Sequence, residues 1–387
     1  AASESTLLPS IYFSGTRWWL ARDLESMAQF ASFDLSKVAR KNILELAPYR
    51  CARDDYSEGV LLDANENSFG PAVTSHAHLA LNRYPDPLHY EVKQPLAELR
   101  GVKKEQIFMG VGSDEAIDIL FRIFCDPGKD NVVITPPTYG MYKVCAKVND
   151  VAYKEAPLTP EFDVDMPTTL AAIDEHTKLV FLCSPGNPTC KVIPNSVVEE
   201  VLASFGGIVV VDEAYIDFSG TESACSLVAK YPNVVVLQTL SKAFGLAGIR
   251  LGMAFGDEAV IQLMNNVKAP YNVNKLTAEV ALEGLKDQTL YRSNVASILL
   301  ERGYLLQQLQ ALPQVKKIHH TDANFILFVV PKALEIYKIM ADRGIVCRYR
   351  GSEMNCASCL RLTVGTRTEN DAFIALFNAV MQELGVE

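Results

Sequence analysis

The 387-residue chain lacks long hydrophobic runs, clusters of basic residues and internal repeats. No apolar stretch approaches the roughly 18 residues that a membrane-spanning helix needs. The net charge of −10 disfavours nucleic acid and anionic membranes as partners. The first 26 residues have no apolar core of the kind found in signal peptides. If the substrate is an anion, a few local arginines must hold it against the charge of the whole chain.

Signals for disulfides and metals are also weak. The nine cysteines are an odd number spread along the chain, which favours free thiols in a reducing compartment, and we therefore expect a cytoplasmic protein. Cys356 and Cys359 form a C-x-x-C pair, but no second pair and no suitably spaced histidine accompany it. We therefore expect no metal site.

Six short apolar runs alternate with helical stretches between residues 90 and 275. Because the runs are continuous rather than alternating, they predict strands that are covered on both faces of a mostly parallel sheet. The runs are 107–109, 131–135, 179–183, 208–211, 234–237 and 252–255.

The pattern changes after residue 275 and predicts a smaller α+β domain. We expect helices over 290–312 and 334–343, strands over 324–328, 345–349 and 360–364, and a last helix with Thr368 as its N-cap. The predicted organisation is an N-terminal extension or arm (1–40), a small domain (41–75 plus 277–387) and a large domain (76–276).

Lys242 lies just beyond the predicted strand 234–237, in a loop of small residues, and Arg250 follows eight positions later. Lysine is the side chain that forms Schiff bases with carbonyl compounds. Small neighbours allow a bulky group to lie close to the backbone. An isolated Ser-Lys pair is more often a surface turn, so the residues at the other strand ends decide between the two interpretations.

Polar residues follow several of these strands, at the edge where open α/β sheets bind ligands. Asp212 could pair with a pyridinium N–H or serve as a turn residue. Asn187 could bind a ring oxygen or start a turn, and Tyr139 could stack on a planar ring or simply pack. The segment 110–113 (GVGS) precedes a helix and could hold a phosphate, although most such loops are only turns. No Walker A lysine follows it, which argues against a nucleoside triphosphate.

Together these residues match the needs of pyridoxal 5′-phosphate, which has an aldehyde, a ring nitrogen, a phenolic oxygen and a phosphate. From about residue 34 to the C-terminus the chain resembles the fold-type-I aminotransferases. The resemblance rests on six motifs in order: 63–67, 83–85, 136–142, 212–215, 239–250 and 360–366. It implies an α/β fold with a mostly parallel central sheet in the large domain and a smaller α+β domain.

Within that family the motifs are closest to the branch that exchanges an amino group between L-glutamate and imidazole-acetol phosphate, giving histidinol phosphate in histidine biosynthesis. Lys242 would form the Schiff base, and Asp212 and Tyr215 would be the other catalytic residues. The cofactor would be held by Ser113, Asp114, Tyr139, Asn187, Asp212, Tyr215, Ser241, Lys242, Arg250 and, from the neighbouring subunit of a homodimer, Tyr84. The substrate would be held by Tyr49, Asn65, Arg348 and Arg361.

Two alternatives remain open on the sequence. A pyridoxal-phosphate-dependent threonine-phosphate decarboxylase has very similar motifs, and a non-catalytic binding module could keep the fold. Retention of Lys242, Asp212 and Asn187 together speaks against the binding module. One residue departs from the family pattern: Cys190 stands where the family's Asn-Pro-Thr-Gly motif has glycine. If that position has a positive φ, Cys190 is strained by about 1 kcal/mol or more.

Overall fold

The computed structural model describes residues 32–49, 60 and 62–386, so most of the predicted N-terminal extension lies outside the described residues. A seven-stranded sheet dominates the large part of the chain, with the order β1-β7-β6-β5-β4-β2-β3. Neighbouring strands from β3 to β6 pair in parallel, whereas β7 pairs antiparallel with β6 and β1. The strands are β1 (Ile107–Val111), β2 (Asn131–Ile134), β3 (Ala152–Glu155), β4 (Thr177–Cys183), β5 (Ile208–Asp212), β6 (Val234–Thr239) and β7 (Leu251–Gly256).

All six apolar runs are confirmed as strands of this sheet. Alternate residues of one strand pack in two separate hydrophobic clusters: Val209 and Val211 in one, Ile208 and Val210 in the other. Side chains of a strand alternate between faces, so a strand covered on both sides must be apolar throughout. The seventh strand, β3, was missed because it is a short edge strand with polar, partly exposed residues.

Helices cover the two faces of the large sheet. They are α1 (Leu35–Val38), α2 (Lys41–Leu44), α3 (Tyr90–Arg100), α4 (Gly112–Phe124), α5 (Met141–Val148), α6 (Met166–Ala171), α7 (Asn195–Ser204), α8 (Glu258–Val267) and α9 (Lys275–Lys286). Among the described helices, none combines the length and the apolar character that crossing a bilayer requires.

A second, antiparallel sheet follows, with the order β10-β11-β9-β8. Its elements are α10 (Thr289–Gln310), β8 (Lys317–Ile318), β9 (Phe325–Val329), α11 (Ala333–Asp342), β10 (Arg348–Tyr349), β11 (Cys359–Thr363) and α12 (Arg367–Glu383). The three helices and the sheet share one hydrophobic cluster, which includes Leu305, Ile336 and Phe377. The predicted helices and the strands at 324–328 and 360–364 are confirmed, whereas only Arg348–Tyr349 of the predicted strand 345–349 pairs.

The predicted N-cap of the last helix was wrong by two residues. The cap is Thr366, whose side chain accepts a hydrogen bond from the Glu369 backbone N–H, while the Glu369 carboxylate accepts from the Thr366 N–H at 2.8 Å. This reciprocal capping box satisfies two free donors at once, which a cap at Thr368 could not do with Glu369.

The predicted domain boundaries stay a prediction, but the packing of two helices can be compared with them. Ile43 of α2 is buried in the cluster on one face of the large sheet, and Ala281 and Leu285 of α9 are buried in the cluster on the other face. Both helices therefore pack on the large sheet, although the predicted boundaries give α2 and most of α9 to the small domain.

Candidate functional site

A cavity of about 410 Å³ opens where the parallel strands of the large sheet end and the small sheet faces them. The last residues of β4, β5 and β6 (Cys183, Asp212 and Thr239) line it. Most of the predicted site residues meet here: Ser113, Asp114, Tyr139, Asn187, Asp212, Tyr215, Ser241, Lys242, Arg250, Arg348 and Arg361. The structure therefore brings together groups that are up to 248 positions apart in the sequence.

Asp212 is a buried carboxylate, only 3% exposed, at the end of β5. Tyr142 Oη donates a hydrogen bond of 2.7 Å to its Oδ2, and the Ala214 N–H donates one of 3.2 Å to its Oδ1. Burial raises the pKa of Asp212 to about 6, against the opposing effect of the Tyr142 hydrogen bond. A carboxylate desolvated to this degree favours a positively charged N–H as its further partner.

Lys242 lies three residues beyond β6, the parallel neighbour of β5. Its Nζ lies 5.5 Å from the centroid of the Tyr215 ring. The residue is open to the cavity, but desolvation by the surrounding protein lowers the pKa of its amine, and the charges of Arg361 and Arg250 lower it further. A lowered pKa favours the neutral amine, which is the form that attacks a carbonyl carbon.

Helix α4 begins at this cavity with a glycine whose backbone conformation disfavours a side chain and which Arg250 closely approaches. Gly112 has φ +74°, and a Cβ atom there would lie 2.7 Å from Arg250 Nη2. Arg250 Nη2 lies 3.7 Å from Asp114 Oδ2, and Tyr139 Oη donates to Asp114 Oδ1 at 3.1 Å. Free N–H groups at a helix start, a guanidinium and an uncrowded backbone together suit a phosphate group.

The residues of this end of the cavity fit the predicted cofactor. The start of α4 at Gly112 suits its phosphate, the buried Asp212 suits a protonated ring nitrogen, and the Lys242 amine suits its aldehyde. The role of Tyr142 was not predicted from the sequence, although Tyr142 lies within the motif 136–142. Its contact with Asp212 depends on how α5 packs on the sheet, and no local sequence pattern predicts that packing.

Arginines line the other end of the cavity. Arg361 Nη1 donates a short hydrogen bond to Asn187 Oδ1, and its guanidinium lies 5.2 Å from the centroid of the Phe325 ring. Arg348 on β10 lies opposite Arg361 on β11. A third arginine, Arg350, also lines the cavity and was missed by the sequence analysis. The available signal was its spacing of two from Arg348, which puts both side chains on one face of an extended segment.

Three predicted site residues lie away from this cavity within the single chain. Tyr84 and Asn65 line a second cavity of about 500 Å³, where the Tyr84 ring stacks on Tyr271 with centroids 4.6 Å apart. Tyr49 lines a third cavity of about 330 Å³, together with Lys268. Their assignments stay predictions.

Cys190 has φ +66°, in the left-handed region that the family's glycine tolerates. Its side chain is fully buried, and its Sγ lies 3.3 Å from the Pro188 carbonyl oxygen. The strain expected from the sequence is therefore present, at a position where the thiol also fills space. Cys356 and Cys359 are buried free thiols, and no group of metal-ligating side chains is found in the part of the chain that the structure describes.

Comparisons with known proteins show the family of the chain. A family model described as aminotransferase class I and II matches residues 57–377. The chain is 46% identical over 341 residues to a histidinol-phosphate aminotransferase from Cytophaga hutchinsonii, covering 88% of this chain and 97% of that relative. It is 42% identical over 385 residues to the enzyme of the same name from Saccharomyces cerevisiae, covering 92% and 100%.

Solved structures share the fold at lower identity. A histidinol-phosphate aminotransferase from Sinorhizobium meliloti in complex with pyridoxal-5′-phosphate superposes with a TM-score of 0.74 at 23% identity, covering 89% of this chain and 98% of that one. An L-threonine-O-3-phosphate decarboxylase from Porphyromonas gingivalis gives 0.67 at 19%, covering 82% and 99%. These likenesses confirm the predicted α/β fold class, and they do not separate the two activities.

Proposed function

Because the chain belongs to the class I and II aminotransferase family, we propose that it exchanges an amino group between L-glutamate and imidazole-acetol phosphate, forming 2-oxoglutarate and L-histidinol phosphate in histidine biosynthesis. The family makes it a pyridoxal-phosphate-dependent aminotransferase. The observation that carries the proposed substrate is the 42–47% identity to histidinol-phosphate aminotransferases over about nine-tenths of the chain.

When bound, pyridoxal phosphate supplies a carbonyl that condenses with amines and a ring that accepts electrons from the substrate carbon. Lys242 would hold it through Nζ, and Asp212 would hold a proton on the ring nitrogen. The remaining contacts would come from Asn187 and Tyr215 to the phenolic oxygen, from Tyr139 stacked on the ring, and from Ser113, Asp114 N–H, Ser241 and Arg250 to the phosphate.

Asp212 favours a positively charged partner for an electrostatic reason. Two opposite unit charges 4 Å apart attract by about 4 kcal/mol at an effective dielectric constant of 20. Without such a partner, burial raises the pKa of Asp212 to about 6. A cationic N–H beside it would favour the ionised carboxylate, and the carboxylate would in turn keep the ring nitrogen protonated.

Lys242 is the proposed base for the proton on the amine-bearing carbon of the substrate. A general base works best with a pKa near the operating pH, and desolvation together with Arg361 and Arg250 moves the pKa of this lysine downward. The Tyr215 ring limits the space around Nζ on one side. Arg361 would orient the anionic end of either substrate, since its guanidinium is fixed by Asn187 and lies over the Phe325 ring.

One single-turnover experiment distinguishes the proposed aminotransferase from the decarboxylase and from the binding module. Mixing the holoenzyme with glutamate should release one 2-oxoglutarate per site, and later addition of imidazole-acetol phosphate should yield one histidinol phosphate and restore the original cofactor absorbance. Release of CO₂ from threonine phosphate, with no 2-oxoglutarate from glutamate, would assign a decarboxylase. Protein that takes up no cofactor would be a binding module.

A homodimer in which Tyr84 reaches the partner's cofactor phosphate is part of the proposal. Tyr84 is half exposed and lies in a different cavity from Lys242 of its own chain. Its N–H donates to the Glu66 carboxylate, and Phe69, three residues further along that segment, is fully exposed. Mixing inactive Tyr84→Ala and Lys242→Ala proteins under subunit exchange should restore activity, because a mixed dimer has one native site. Light scattering at the monomer mass of 42.6 kDa would contradict this arrangement.

We also place the protein in the cytoplasm. All eight described cysteines are free and buried, which suits a reducing compartment. Fractionation of cells that express the full-length native protein should recover its activity with cytoplasmic marker enzymes, and recovery with an oxidising compartment would contradict the assignment.

A further inference from the structure

We infer that Arg350, oriented by Glu353, is the residue with which this site distinguishes a phosphate from a carboxylate. The inference rests on the proposed function and adds a specificity-determining residue that the sequence motifs do not assign. It concerns the hairpin formed by β10 and β11, which faces Lys242 across the cavity.

The hairpin directs three arginines into the cavity. Arg348 lies opposite Arg361 in the antiparallel pair, and the Arg350 N–H donates to the Cys359 carbonyl at 2.9 Å, which extends the pairing by one residue beyond Tyr349. Side chains two residues apart on an extended segment share a face. Arg348, Arg350 and Arg361 consequently point to the same side, and all three line the cavity.

Arg350 is fixed at one nitrogen and incompletely bonded at the others. Its Nη1 lies 2.7 Å from Glu353 Oε1, and its side chain is only 20% exposed. Its Nη2 makes one long contact, 3.5 Å, with Asn187 Oδ1. Its buried Nε finds no acceptor among the residues that the structure describes. A guanidinium has five donors, so Glu353 orients this one while Nη2 stays available to a ligand oxygen.

The charges at this end of the cavity suit a dianion. The three arginines and Glu353 carry a formal charge of +2, although the whole chain carries −10. Arg350 and Arg361 both donate to the same oxygen, Asn187 Oδ1, so two positive groups share one neutral acceptor. An anion between them would relieve this repulsion and supply the missing acceptors.

The two substrates differ in the anionic substituent that takes the place of the α-carboxylate on the reacting carbon. In glutamate that carbon carries a carboxylate directly, whereas in histidinol phosphate it carries a CH₂–O–phosphate group, so the phosphorus lies two bonds further out. Arg361 is the hairpin arginine whose charge acts on Lys242. We therefore assign the nearby carboxylate to Arg361 alone and the more distant phosphate to Arg361 together with Arg350.

A purely structural role for the Arg350–Glu353 pair predicts a different result. If the pair only stabilises the hairpin, removing it should weaken the binding of both substrates alike, because Arg361 lies on the other strand of that hairpin. The specificity role predicts a selective loss for the phosphate-bearing substrate.

The test compares Arg350→Gln with the native holoenzyme on three amines. The kcat/KM for histidinol phosphate should fall about 10- to 100-fold, chiefly through KM, because one charge-assisted contact is lost. The values for histidinol, which lacks the phosphate, and for the glutamate half-reaction should stay within about threefold. Equal losses for all three amines, or no loss for histidinol phosphate, would overturn the inference.

Two further variants control for a general effect of losing an arginine and test the role of Glu353. Arg343→Gln removes an exposed arginine paired with Glu383 at 2.7 Å outside the cavity and should leave all three amines unchanged. Glu353→Gln keeps the shape of Glu353 but loosens Arg350, so it should lower kcat/KM for histidinol phosphate less than Arg350→Gln does and spare glutamate. A Glu353→Gln protein that loses glutamate activity equally would indicate a structural role.

Inorganic phosphate separates this inference from the proposed function. As a competitor in the glutamate half-reaction, it should inhibit the native holoenzyme at least about tenfold more strongly than the Arg350→Gln protein. If the native protein releases 2-oxoglutarate from glutamate but ignores histidinol phosphate, the proposed substrate is wrong, and the phosphate inhibition still decides the role of Arg350. Equal inhibition of both proteins would refute that role.

Discussion

The two ends of the Lys242 cavity are built in different ways. The end formed by β4, β5, β6 and α4 presents single residues at the ends of buried parallel strands, and Asp212 there has two protein donors. The opposite end is a hairpin with a two-residue strand, on which Arg350 and Arg361 compete for one acceptor. The first end suits a cofactor that stays bound throughout the reaction. The second end has unused hydrogen-bond donors for substrates that change during the reaction.

The largest effect should come from Lys242→Ala, which removes the base from the first end. Both half-reactions should slow by about 10⁴-fold, the upper range for loss of a positioned proton-transfer group. Rapid-mixing absorbance with glutamate, and then with imidazole-acetol phosphate, measures each half. A variant that still converted glutamate at the native rate would remove the basis for the enzyme assignment.

Asp212→Asn should cause the next largest loss of activity, while it should increase the stability of the cofactor-free protein. Loss of the carboxylate should slow the reaction about 10³-fold, because about 4 kcal/mol of attraction to a protonated ring nitrogen is lost. In cofactor-free protein, burial raises the pKa of Asp212 from 3.8 to about 6. Its contribution to stability is therefore fully present below pH 3.8 and is lost as the pH rises through 6.

The substitution should consequently stabilise the cofactor-free protein above pH 6, by at most about 3 kcal/mol. Urea titrations at pH 5 and pH 8 measure this, and the gain of the Asn variant over the native chain should be larger at pH 8. A gain that is larger at pH 5 would show that burial does not control this carboxyl group.

Arg361→Gln tests the boundary between the two ends. Its loss should lower kcat/KM about 10- to 100-fold for glutamate and histidinol phosphate alike, in contrast to the selective loss expected for Arg350→Gln. Because the Arg361 charge lowers the pKa of Lys242, the variant should raise that pKa. The pH at which cofactor uptake by the cofactor-free protein reaches half its maximal rate should therefore move upward. A downward move would contradict the assigned electrostatics.

The smallest effect should come from Cys190, which is buried in a cluster with Phe325 and Cys359 of the small sheet. Cys190→Gly removes about 1 kcal/mol of left-handed strain but leaves the space of a buried thiol unfilled, so stability should change by less than about 1 kcal/mol. Cys190→Ala keeps the strain and should be less stable than the glycine variant. At Cys347, a buried cysteine outside the left-handed region, the usual order of alanine above glycine should hold. Thermal unfolding of the four variants checks both orders.

The sequence predicted the first end of the cavity better than the second for a physical reason. Asp212, Asn187 and Lys242 each follow an uninterrupted apolar run, and parallel strands must bring such residues to one edge. Arg350 has no such marker, since its direction depends on the register of a two-residue strand. The edge strand β3 and the contact between Tyr142 and Asp212 likewise depend on packing between distant segments, which local patterns do not encode.

The antiparallel course of β7 ties Lys242 and Arg250 into one turn. The chain leaves β6 toward Lys242 and returns through Arg250, whose carbonyl accepts a hydrogen bond of 3.0 Å from the Gly112 N–H. Both ends of the turn continue into paired strands of the sheet, whereas a side chain at Gly248, within the turn, would meet open space. A spectroscopic label attached at Gly248 could therefore report on the bound cofactor without displacing either Lys242 or Arg250.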